Sequence, residues 1–344
     1  MKTAVFICPG RGTYNAAELG SLGRTFPDAG LLAQFENERA FGNQESLMAL
    51  DSATSFSISR HGRGDNASAL IYACGLGDFL SLTDVKVVAV TGNSMGWYTA
   101  LACAGALSPL NGFRVANTMG RLMQEALIGG QLVYPVVGDD WRDDPARRAK
   151  LLELVAEIAA RPGLQLALSI DLGGMLVLAG NEPGLAAFEA ATPREGRFPL
   201  RLTNHAAFHT ALQEPVAARG RAALSADLFT QPKIPMIDGR GHIWWPGSTD
   251  AQSLWDYTLG HQVTEAYDFT RAVTHAAREF APDLFIIPGP GNTLGGAVAQ
   301  VLIRANWRDM TCKEDFQKLQ SETPLLVSMG LAPQRATVTE GTRT

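Results

Sequence analysis

One short stretch limits the fold of this chain more than any other: VVAVTGNSMGWYTAL, residues 87–101. A β-branched, apolar run passes through Gly92 and Gly96 into an Ala-rich segment with helical character, and Ser94 stands between the two glycines. This pattern predicts a strand–turn–helix unit in which the turn exposes the Ser94 hydroxyl and the glycines leave room for the chain. The free N–H groups at the start of the helix would then lie where a developing oxyanion needs donors. The motif G-x-S-x-G also arises by chance in a chain with 35 glycines, so the prediction of a nucleophile depends on the flanking strand and helix.

The surrounding pattern predicts an α/β fold. Residues 3–8 and 84–90 are short apolar runs typical of strands buried in a parallel sheet, and apolar residues at helical spacing fill 66–82 between them. A helix, a hairpin, a second helix and a strand follow over 141–202, which indicates a compact α+β insert. Two more buried strands follow the insert. The stretch after about residue 320 is weakly patterned.

Composition excludes several classes of protein. With 344 residues, of which 46% are hydrophobic and 18% charged, the chain can form one large or two smaller globular domains. A net charge of -5 disfavours a nucleic-acid-binding protein. The four cysteines are scattered without metal-site or redox spacing, so we expect reduced thiols and no metal. Neither a signal peptide nor an apolar run of membrane-spanning length is present, and we predict a cytoplasmic protein.

A serine nucleophile needs a base within hydrogen-bonding reach, and the chain offers six histidines. They are His61, His205, His209, His242, His261 and His275. A late position favours His261 and His275, but both stand in helix-like polar stretches rather than in loops at strand ends. His205 and His209 stand where the chain returns from the insert. Spacing alone does not identify which histidine is the base.

Four separated stretches resemble one known family. They are CPGRGTY near the start, GNSMGWYTAL at the elbow, AAFHTALQEP after the insert and IIPGPGNTLGG near the end. In order and spacing, over roughly residues 3–300, they are similar to the malonyl-CoA:acyl-carrier-protein transacylases, and GRLMQEA and the hairpin ending in VLAG are similar too. Among the histidines, the resemblance selects His209 as the base.

The resemblance also implies a division of the chain. An α/β-hydrolase-like acyltransferase core would comprise residues 1–130 and 205–310. A small ferredoxin-like α+β subdomain, residues 131–204, would interrupt it, in agreement with the insert indicated by the pattern. Residues 311–344 would form a C-terminal helix and tail.

The mechanism that the resemblance implies is a two-step acyl transfer. Ser94, deprotonated by His209, would attack an acyl-CoA thioester and hold the acyl group as an ester until the phosphopantetheine thiol of an acyl carrier protein collects it. Backbone N–H groups of Arg11 and Met95 would hold the oxyanion. No metal or bound cofactor is expected, and the pathway would be fatty-acid or polyketide-type biosynthesis. An acidic carrier protein would dock on some of the basic residues around the insert, namely Arg114, Arg121, Arg142, Arg147 and Arg148.

Three positions of the expected acyl pocket bear on the substrate. Asn93 stands where the family usually has a histidine before the nucleophile, and it keeps a polar side chain. Met119 stands where the family has the arginine that pairs with the malonyl carboxylate, so malonyl loses its anchor. Phe208, directly before His209, resembles family members that accept an unbranched acyl group. We therefore expect a small, unbranched and uncharged acyl group.

Three alternatives stay open. Arg11, where the family usually has glutamine, could turn its guanidinium into the pocket and restore an anchor for malonyl. Loss of the anchor also marks relatives that hydrolyse acyl groups from carrier proteins, so an acyl-carrier-protein acyl hydrolase is the second function class. A partner subunit without turnover is disfavoured, because the chain retains both Ser94 and His209.

Overall fold

A computed structural model describes residues 1–340 of the chain. The strands are β1 (Lys2–Cys8), β2 (Val85–Gly92), β3 (Gly130–Pro135), β4 (Leu166–Leu172), β5 (Met175–Gly180), β6 (Leu200–Arg201), β7 (Met236–Ile237), β8 (Ile243–Trp244), β9 (Tyr267–Asp268), β10 (Leu284–Ile287) and β11 (Leu326–Ser328). The α-helices are α1 (Ser21–Thr25), α2 (Ala29–Phe41), α3 (Leu47–Asp51), α4 (Ile58–His61), α5 (Gly64–Leu80), α6 (Gly96–Cys103), α7 (Pro109–Ala126), α8 (Pro145–Ala159), α9 (Glu182–Ala191), α10 (Glu214–Ala223), α11 (Ala251–Asp256), α12 (Gln262–Thr264), α13 (Phe269–Phe280), α14 (Gly295–Arg304), α15 (Lys313–Glu322) and α16 (Ala332–Thr339). A π-helical segment, Tyr257–His261, joins α11 to α12.

The larger sheet has six strands in the order β11-β10-β1-β2-β7-β8. Neighbours are parallel except β7 and β8, which are antiparallel. Both faces are buried: along β1, Phe6 packs into the core formed with α5, α6 and α7, and Ile7 packs into the core formed with α13 and α14. Burial on both faces explains why β1 and β2 read as continuous apolar runs in the sequence.

The smaller sheet has five strands in the order β6-β3-β5-β4-β9. It is antiparallel except for the parallel pair of β4 and β9. On its outer face Leu132 and Tyr134 pack with α8 and α9 in a third core, whereas Val133 points to the inner face, toward the larger domain. Strand β9 comes from beyond the predicted insert, so the smaller sheet recruits a strand from outside residues 131–204. The predicted domain boundaries otherwise stay predictions.

The C-terminal stretch contributes more than the helix and tail predicted for residues 311–344. Strand β11 pairs with β10 and forms one edge of the larger sheet. Helix α16 follows it, and Arg335 on this helix forms an ion pair with the buried carboxylate of Asp78, near the end of α5. The last four residues of the predicted segment, 341–344, lie outside the described residues.

The carboxyl ends of β1 and β2 meet at one edge of the larger sheet, since Cys8 pairs with Gly92 in the parallel register. The loops that leave these two strands therefore lie side by side, and the inner face of the smaller sheet faces them across a cavity. Crevices at the carboxyl ends of parallel strands are common ligand sites. Through residue 340, no helix combines the length and apolar character needed to cross a bilayer.

Candidate active site

The turn between β2 and α6 holds Ser94 in an unfavourable backbone conformation. Its φ is +53°, in the left-handed region that side chains rarely adopt. The glycines are needed for space: a Cβ on Gly92 would collide with the backbone of Gly96, and a Cβ on Gly96 would collide with the Cys8 carbonyl oxygen. Gly10 is restricted in the same way, because a Cβ there would lie 2.7 Å from the Asn93 carbonyl oxygen. The loop after β1 thus packs directly on the elbow.

The elbow brings the Ser94 hydroxyl to a histidine. Ser94 Oγ lies 2.8 Å from His209 Nε2, and on the other side of the ring His209 Nδ1 lies 2.6 Å from the backbone carbonyl oxygen of Gln262. A carbonyl oxygen can only accept, so Nδ1 carries the proton and Nε2 presents its lone pair to the Ser94 hydroxyl. This arrangement can remove a proton from Ser94 without an acidic third member.

The surroundings of His209 keep its ring neutral. The residue is buried, its φ is +60°, and the ring of Tyr267 lies 5.4 Å from it, centroid to centroid. Burial lowers the pKa of His209 to about 4, because an imidazolium would lose its hydration. Two smaller effects oppose each other, since the hydrogen bond to the Gln262 carbonyl raises the pKa and the nearby His261 lowers it. At neutral pH the imidazole is therefore unprotonated and able to accept a proton.

The other five histidines have different surroundings. His205 Nδ1 lies 2.9 Å from Gln131 Oε1, and His275 Nδ1 lies 2.7 Å from the Gly241 carbonyl oxygen. The remaining three are His61, bonded to the Leu50 carbonyl oxygen, His242, packed on Trp244, and His261, stacked on Tyr257. Within residues 1–340, His209 is the histidine that contacts the Ser94 hydroxyl.

Sequence reasoning missed Gln262. Besides its backbone contact with His209, its side-chain Nε2 donates to the Ser94 carbonyl oxygen at 3.0 Å, and its Oε1 accepts from the Tyr98 hydroxyl at 3.2 Å. Nothing local marks this residue, because it touches Ser94 across 168 positions of sequence. The local signal is its place beside His261, in a helix-like polar stretch.

The two predicted oxyanion donors lie at the cavity. Arg11 and Met95 both line it, Arg11 in the loop after β1 and Met95 directly after Ser94. In the described part of the chain, neither backbone N–H donates to a protein acceptor. Both N–H groups are thus available to a substrate carbonyl oxygen, as the predicted role requires.

The Arg11 guanidinium is enclosed in the cavity wall. Nη2 donates to the carbonyl oxygens of Asn204, at 2.6 Å, and Gly62, at 3.1 Å, while Nη1 lies 3.4 Å from Met123 Sδ. Nε reaches no acceptor within residues 1–340. Burial lowers the pKa of Arg11 to about 10, with a smaller opposing effect of Asp65, so the group stays cationic at neutral pH. Its hydrogen-bond partners are all uncharged.

The cavity has a volume of about 290 Å³ and a mainly apolar lining. Apolar residues of the inner face of the smaller sheet and of α14 form one side, and the elbow, the Arg11 loop and α7 form the other. Of the charged residues, the described lining contains Arg11 and Arg197 and no aspartate or glutamate. The cavity therefore combines apolar walls with positive charge.

The three residues predicted to form the acyl pocket all line this cavity. Met119 is buried in α7, Phe208 lies with its ring 6.0 Å from that of His209, and Asn93 is half-buried beside Ser94. The Asn93 Oδ1 atom has no hydrogen-bond partner among residues 1–340. The structure thus brings together Ser94, His209 and every predicted pocket residue.

The basic surface predicted around the insert is largely neutralised by local ion pairs. The pairs are Arg114–Glu38, Arg121–Glu125, Arg142–Asp140, Arg147–Glu195 and Arg148–Asp171. Arg148 is also buried, which removes it from any docking surface. Arg197, in contrast, is exposed at the cavity, and its guanidinium stands 5.3 Å from the centre of the Phe198 ring.

Comparisons with known proteins find transacylases among the relatives of this chain. The chain is 27% identical over 217 residues to a "Malonyl CoA-acyl carrier protein transacylase" of Salmonella typhimurium, a match that covers 62% of this chain and 65% of the relative. A relative of the same description in Escherichia coli is 26% identical over 215 residues, with the same coverage. The chain is a relative of the malonyl-CoA:acyl-carrier-protein transacylases. It spans 65% of the length of these curated relatives. No protein-family model matches it.

Solved structures of transacylases have the same fold as this chain. The malonyl CoA-acyl carrier protein transacylase of Coxiella burnetii superposes with a TM-score of 0.74 at 18% identity, covering 98% of this chain and 96% of the other. A malonyl-transacylase solved in complex with a type II polyketide synthase acyl-carrier protein gives a TM-score of 0.74 at 20% identity, covering 99% of each chain. The predicted fold class, an α/β-hydrolase-like large domain with a small ferredoxin-like α+β subdomain, is confirmed.

Proposed function

We propose that this chain is an acyl-CoA:acyl-carrier-protein S-acyltransferase that works through an acyl-Ser94 ester. The observation that carries the proposal is the 2.8 Å contact between Ser94 Oγ and His209 Nε2, at a strained elbow in the wall of a cavity. The names of the relatives, which are malonyl transacylases, support it.

In the first step His209 Nε2 takes the hydroxyl proton while Ser94 Oγ bonds to the thioester carbon. The N–H groups of Arg11 and Met95 stabilise the oxyanion that forms, and the loss of one such donor lowers kcat by about 10² to 10³ in comparable sites. When the C–S bond breaks, His209 returns the proton to the departing CoA sulfur. Ser94 then carries the acyl group as an ester.

The second step repeats the first with an incoming thiol. The phosphopantetheine thiol of the carrier protein gives its proton to His209, its sulfur bonds to the ester carbon, and the bond to Ser94 Oγ breaks as the serine regains a proton.

The mechanism uses no metal or bound cofactor. A solved relative in complex with a type II polyketide synthase acyl-carrier protein supports this partner, within fatty-acid or polyketide-type biosynthesis. The location that we propose is the cytoplasm, because all four cysteines are free thiols.

The acyl group that we propose is small and unbranched. Phe208 fills the cavity wall beside His209, where an α-methyl substituent on the Ser94 ester would meet its ring. Met119 contributes a thioether where an anchor for a carboxylate is expected, which favours an uncharged group.

A specific observation supports a second candidate, a carboxylate-bearing acyl group such as malonyl. The cationic Arg11 guanidinium stands in the cavity wall with only neutral hydrogen-bond partners, and no acidic residue belongs to the described lining. A buried cation without an anionic partner is unfavourable, and a substrate carboxylate would supply the missing partner.

Intact-protein mass after mixing with a panel of acyl-CoAs tests the proposed function. We expect a mass increase of one acyl group, absent in Ser94→Ala, and removal of that group by holo acyl carrier protein with formation of acyl-carrier protein. An adduct on Ser94→Ala would place the acyl group elsewhere and contradict the proposal. If water removes the group as fast as the carrier protein does, the chain is an acyl-carrier-protein hydrolase instead.

Kinetics with acetyl-CoA and malonyl-CoA separate the two acyl candidates. If the natural group is uncharged, Met119→Arg should raise kcat/KM for malonyl-CoA relative to acetyl-CoA about tenfold, because it adds a charge-assisted pair. If Arg11 is already the anchor, the unchanged protein prefers malonyl-CoA, and Arg11→Gln lowers that preference about tenfold. Arg161→Gln, on an exposed turn, is the control for both.

A further inference from the structure

A histidine that the proposed mechanism does not use stands in the wall of the cavity. His205 belongs to the cavity lining and precedes the base, His209, by four residues. Its Nδ1 atom lies 2.9 Å from Gln131 Oε1, and within residues 1–340 no hydrogen-bond partner reaches its Nε2 atom. The state of this free nitrogen bears directly on what the cavity can bind.

A chain of hydrogen bonds fixes which nitrogen of His205 carries the proton. The Phe208 carbonyl oxygen can only accept, so the Ser169 hydroxyl, 2.9 Å away, donates to it. Ser169 Oγ then has only lone pairs left, and Gln131 Nε2 donates to it at 2.8 Å. The Gln131 amide oxygen therefore faces His205, and Nδ1 of His205 must carry the proton. Nε2 presents a lone pair and can accept a hydrogen bond.

This chain of hydrogen bonds is shielded from water. Ser169 is 0% exposed and Gln131 is 5% exposed. Ser169 lies in β4 where the pairing with β5 shifts register, between Leu168 and Ile170. Irregularities of this kind redirect side chains and are common next to active sites. The tautomer of His205 is thus set by the fold and not by the solvent.

The ring of His205 is neutral at physiological pH. Burial lowers its pKa well below the usual value of histidine, and the Arg11 cation lowers the pKa further. The two side chains are neighbours, because Arg11 Nη2 donates to the carbonyl oxygen of Asn204, the residue before His205. Nε2 therefore keeps its lone pair at neutral pH.

The lone pair of His205 is open to the cavity. Arg11 Nε and Asn93 Oδ1 lack partners among residues 1–340 and are also enclosed, whereas His205 is only partly buried and its Nε2 is not enclosed. The rest of the lining is mainly apolar. In such a cavity, a few polar groups of fixed direction determine which ligand is selected.

We propose that His205 is a specificity-determining residue whose Nε2 accepts a hydrogen bond from a hydroxyl on the acyl group. The substrate class is then a small, unbranched hydroxyacyl thioester. The proposal deepens the proposed function and rests on it for turnover. One of its two tests measures binding alone and does not need turnover.

A hydroxyl is the acyl substituent that suits both His205 and Arg11. A methyl or keto group has no proton to donate, and a carboxylate, ionised at neutral pH, would turn its own lone pairs toward Nε2. An ammonium group can donate, but the Arg11 cation would repel it. The remaining neutral donors of such a thioester belong to the pantetheine arm. Every CoA thioester has this arm, so acyl groups that differ by one hydroxyl separate the two sources.

Matched acyl-CoA pairs test the proposal in the full-length protein. Glycolyl-CoA and acetyl-CoA differ by one hydroxyl, as do 3-hydroxypropionyl-CoA and propionyl-CoA. We expect the second-order rate constant of Ser94 acylation, measured by CoA release, to favour the hydroxylated member of at least one pair about tenfold. His205→Phe keeps a ring but removes the acceptor, and it should reduce this ratio to about one.

Two further variants separate recognition from general damage. His275→Phe makes the same change at a histidine outside the described cavity lining, and its ratio should equal that of the wild type. His205→Gln can place an amide oxygen near the position of Nε2, so it should recover part of the preference for the hydroxylated group. A general loss of packing would not distinguish two acyl groups that differ by one oxygen atom.

A binding measurement removes the dependence on turnover. Ser94→Ala cannot be acylated, and nitrogen-15 labelling of its histidines reports the protonation of each ring nitrogen. We expect His205 Nε2 to carry no proton, and its resonance to move with the preferred hydroxyacyl-CoA much more than with the parent acyl-CoA. His205→Phe in this background assigns the resonance. If His205→Phe does not fold by circular dichroism, His205→Gln assigns the resonance and the binding measurement decides.

Three results would overturn the proposal: a wild-type ratio below about twofold for both pairs, a ratio that survives in His205→Phe, or a proton on Nε2. Equal losses for both members of a pair would assign the contact to the pantetheine arm and contradict the proposal as well. Failure of the proposed function looks different. In that case no acyl-CoA acylates the wild-type protein, while the Nε2 resonance still distinguishes the hydroxylated acyl-CoA from its parent.

Discussion

Two tight turns in this chain use glycine in opposite ways. In the hairpin between β4 and β5, Gly173 itself takes the left-handed conformation, with a φ of +64°. In the elbow between β2 and α6, Gly92 and Gly96 have no positive φ and serve only to leave space, while Ser94 takes the left-handed conformation at +53°. His209, the partner of Ser94, does the same at +60°.

The difference follows from what each turn must present. The hairpin needs only its shape, and glycine provides a positive φ with little steric cost. The elbow needs a hydroxyl at the point of sharpest curvature, so a side chain occupies a conformation that costs about 1 to 2 kcal/mol. Strain at both members of one hydrogen-bonded pair indicates a site whose geometry is set by chemistry rather than by local backbone preference.

The largest expected effect tests whether His209 works as a base. His209→Ala should lower the rate of Ser94 acylation about a thousandfold, because within residues 1–340 no other group is placed to take the hydroxyl proton. His275→Ala is the control, since its Nδ1 also contacts a backbone carbonyl oxygen but the Ser94 hydroxyl contacts His209 instead. Stopped-flow release of CoA measures both rates. If both variants lost the same fraction of the acylation rate, the effect of His209→Ala would reflect damage to the fold and not the loss of a base.

The pH dependence follows from the low pKa of His209. A base acts when unprotonated, and burial places the pKa of His209 at about 4. The acylation rate should therefore stay constant as the pH falls from 7 to about 5, and drop tenfold per pH unit below about 4. Rapid pH-jump acylation assays check this profile. A midpoint near 6.5, the usual value for histidine, would show that the ring is solvated during reaction.

The next effect concerns space in the elbow. Gly96→Ala should destabilise the protein by about 3 kcal/mol, because the new Cβ would collide with the Cys8 carbonyl oxygen in a tightly packed turn. Gly163→Ala, at a turn with a φ of +79° and open space around it, should cost only about 1 kcal/mol, through backbone strain alone. Chemical unfolding measures both. A larger loss at Gly163 would mean that conformation, not space, dominates.

The smallest effect isolates the strain itself. Ser94→Gly and Ser94→Ala both lose the hydroxyl, but only alanine must keep the positive φ of the elbow. After the greater unfolded-state entropy of glycine is subtracted, Ser94→Gly should be more stable than Ser94→Ala by about 1 kcal/mol. Unfolding in denaturant compares the two inactive proteins. If they are equally stable, the elbow stores no strain and the contrast with the hairpin fails.

Local pattern predicted the central strands of the larger sheet, the elbow and most elements of the insert. The apolar runs of β1 and β2, the hairpin around Gly173 and the helical spacing of α5 each reflect a periodicity carried by neighbouring residues. Strands β3, β8, β9 and β11 escaped prediction. Strands β8, β9 and β11 have only two or three residues, which carry too little pattern, and the partners of β9 and β11 are distant in sequence. Pairing between distant segments stabilises such short strands, and local preference alone does not.

The sequence by itself determined the elbow. The order of strand, Gly92, Ser94, Gly96 and helix specifies a turn, its nucleophile and the space that it needs, because all of these depend on residues next to one another. Spacing did not identify the base, and only the family resemblance pointed to His209. The tertiary structure shows that His209 reaches the hydroxyl, that the Gln262 carbonyl takes the place of an acid behind it, and that the Arg11 guanidinium stands in the cavity wall. Hydrogen bonds and burial depend on distance in space, and the folding of β2, α12 and the loop after β6 brings together groups that lie more than a hundred residues apart.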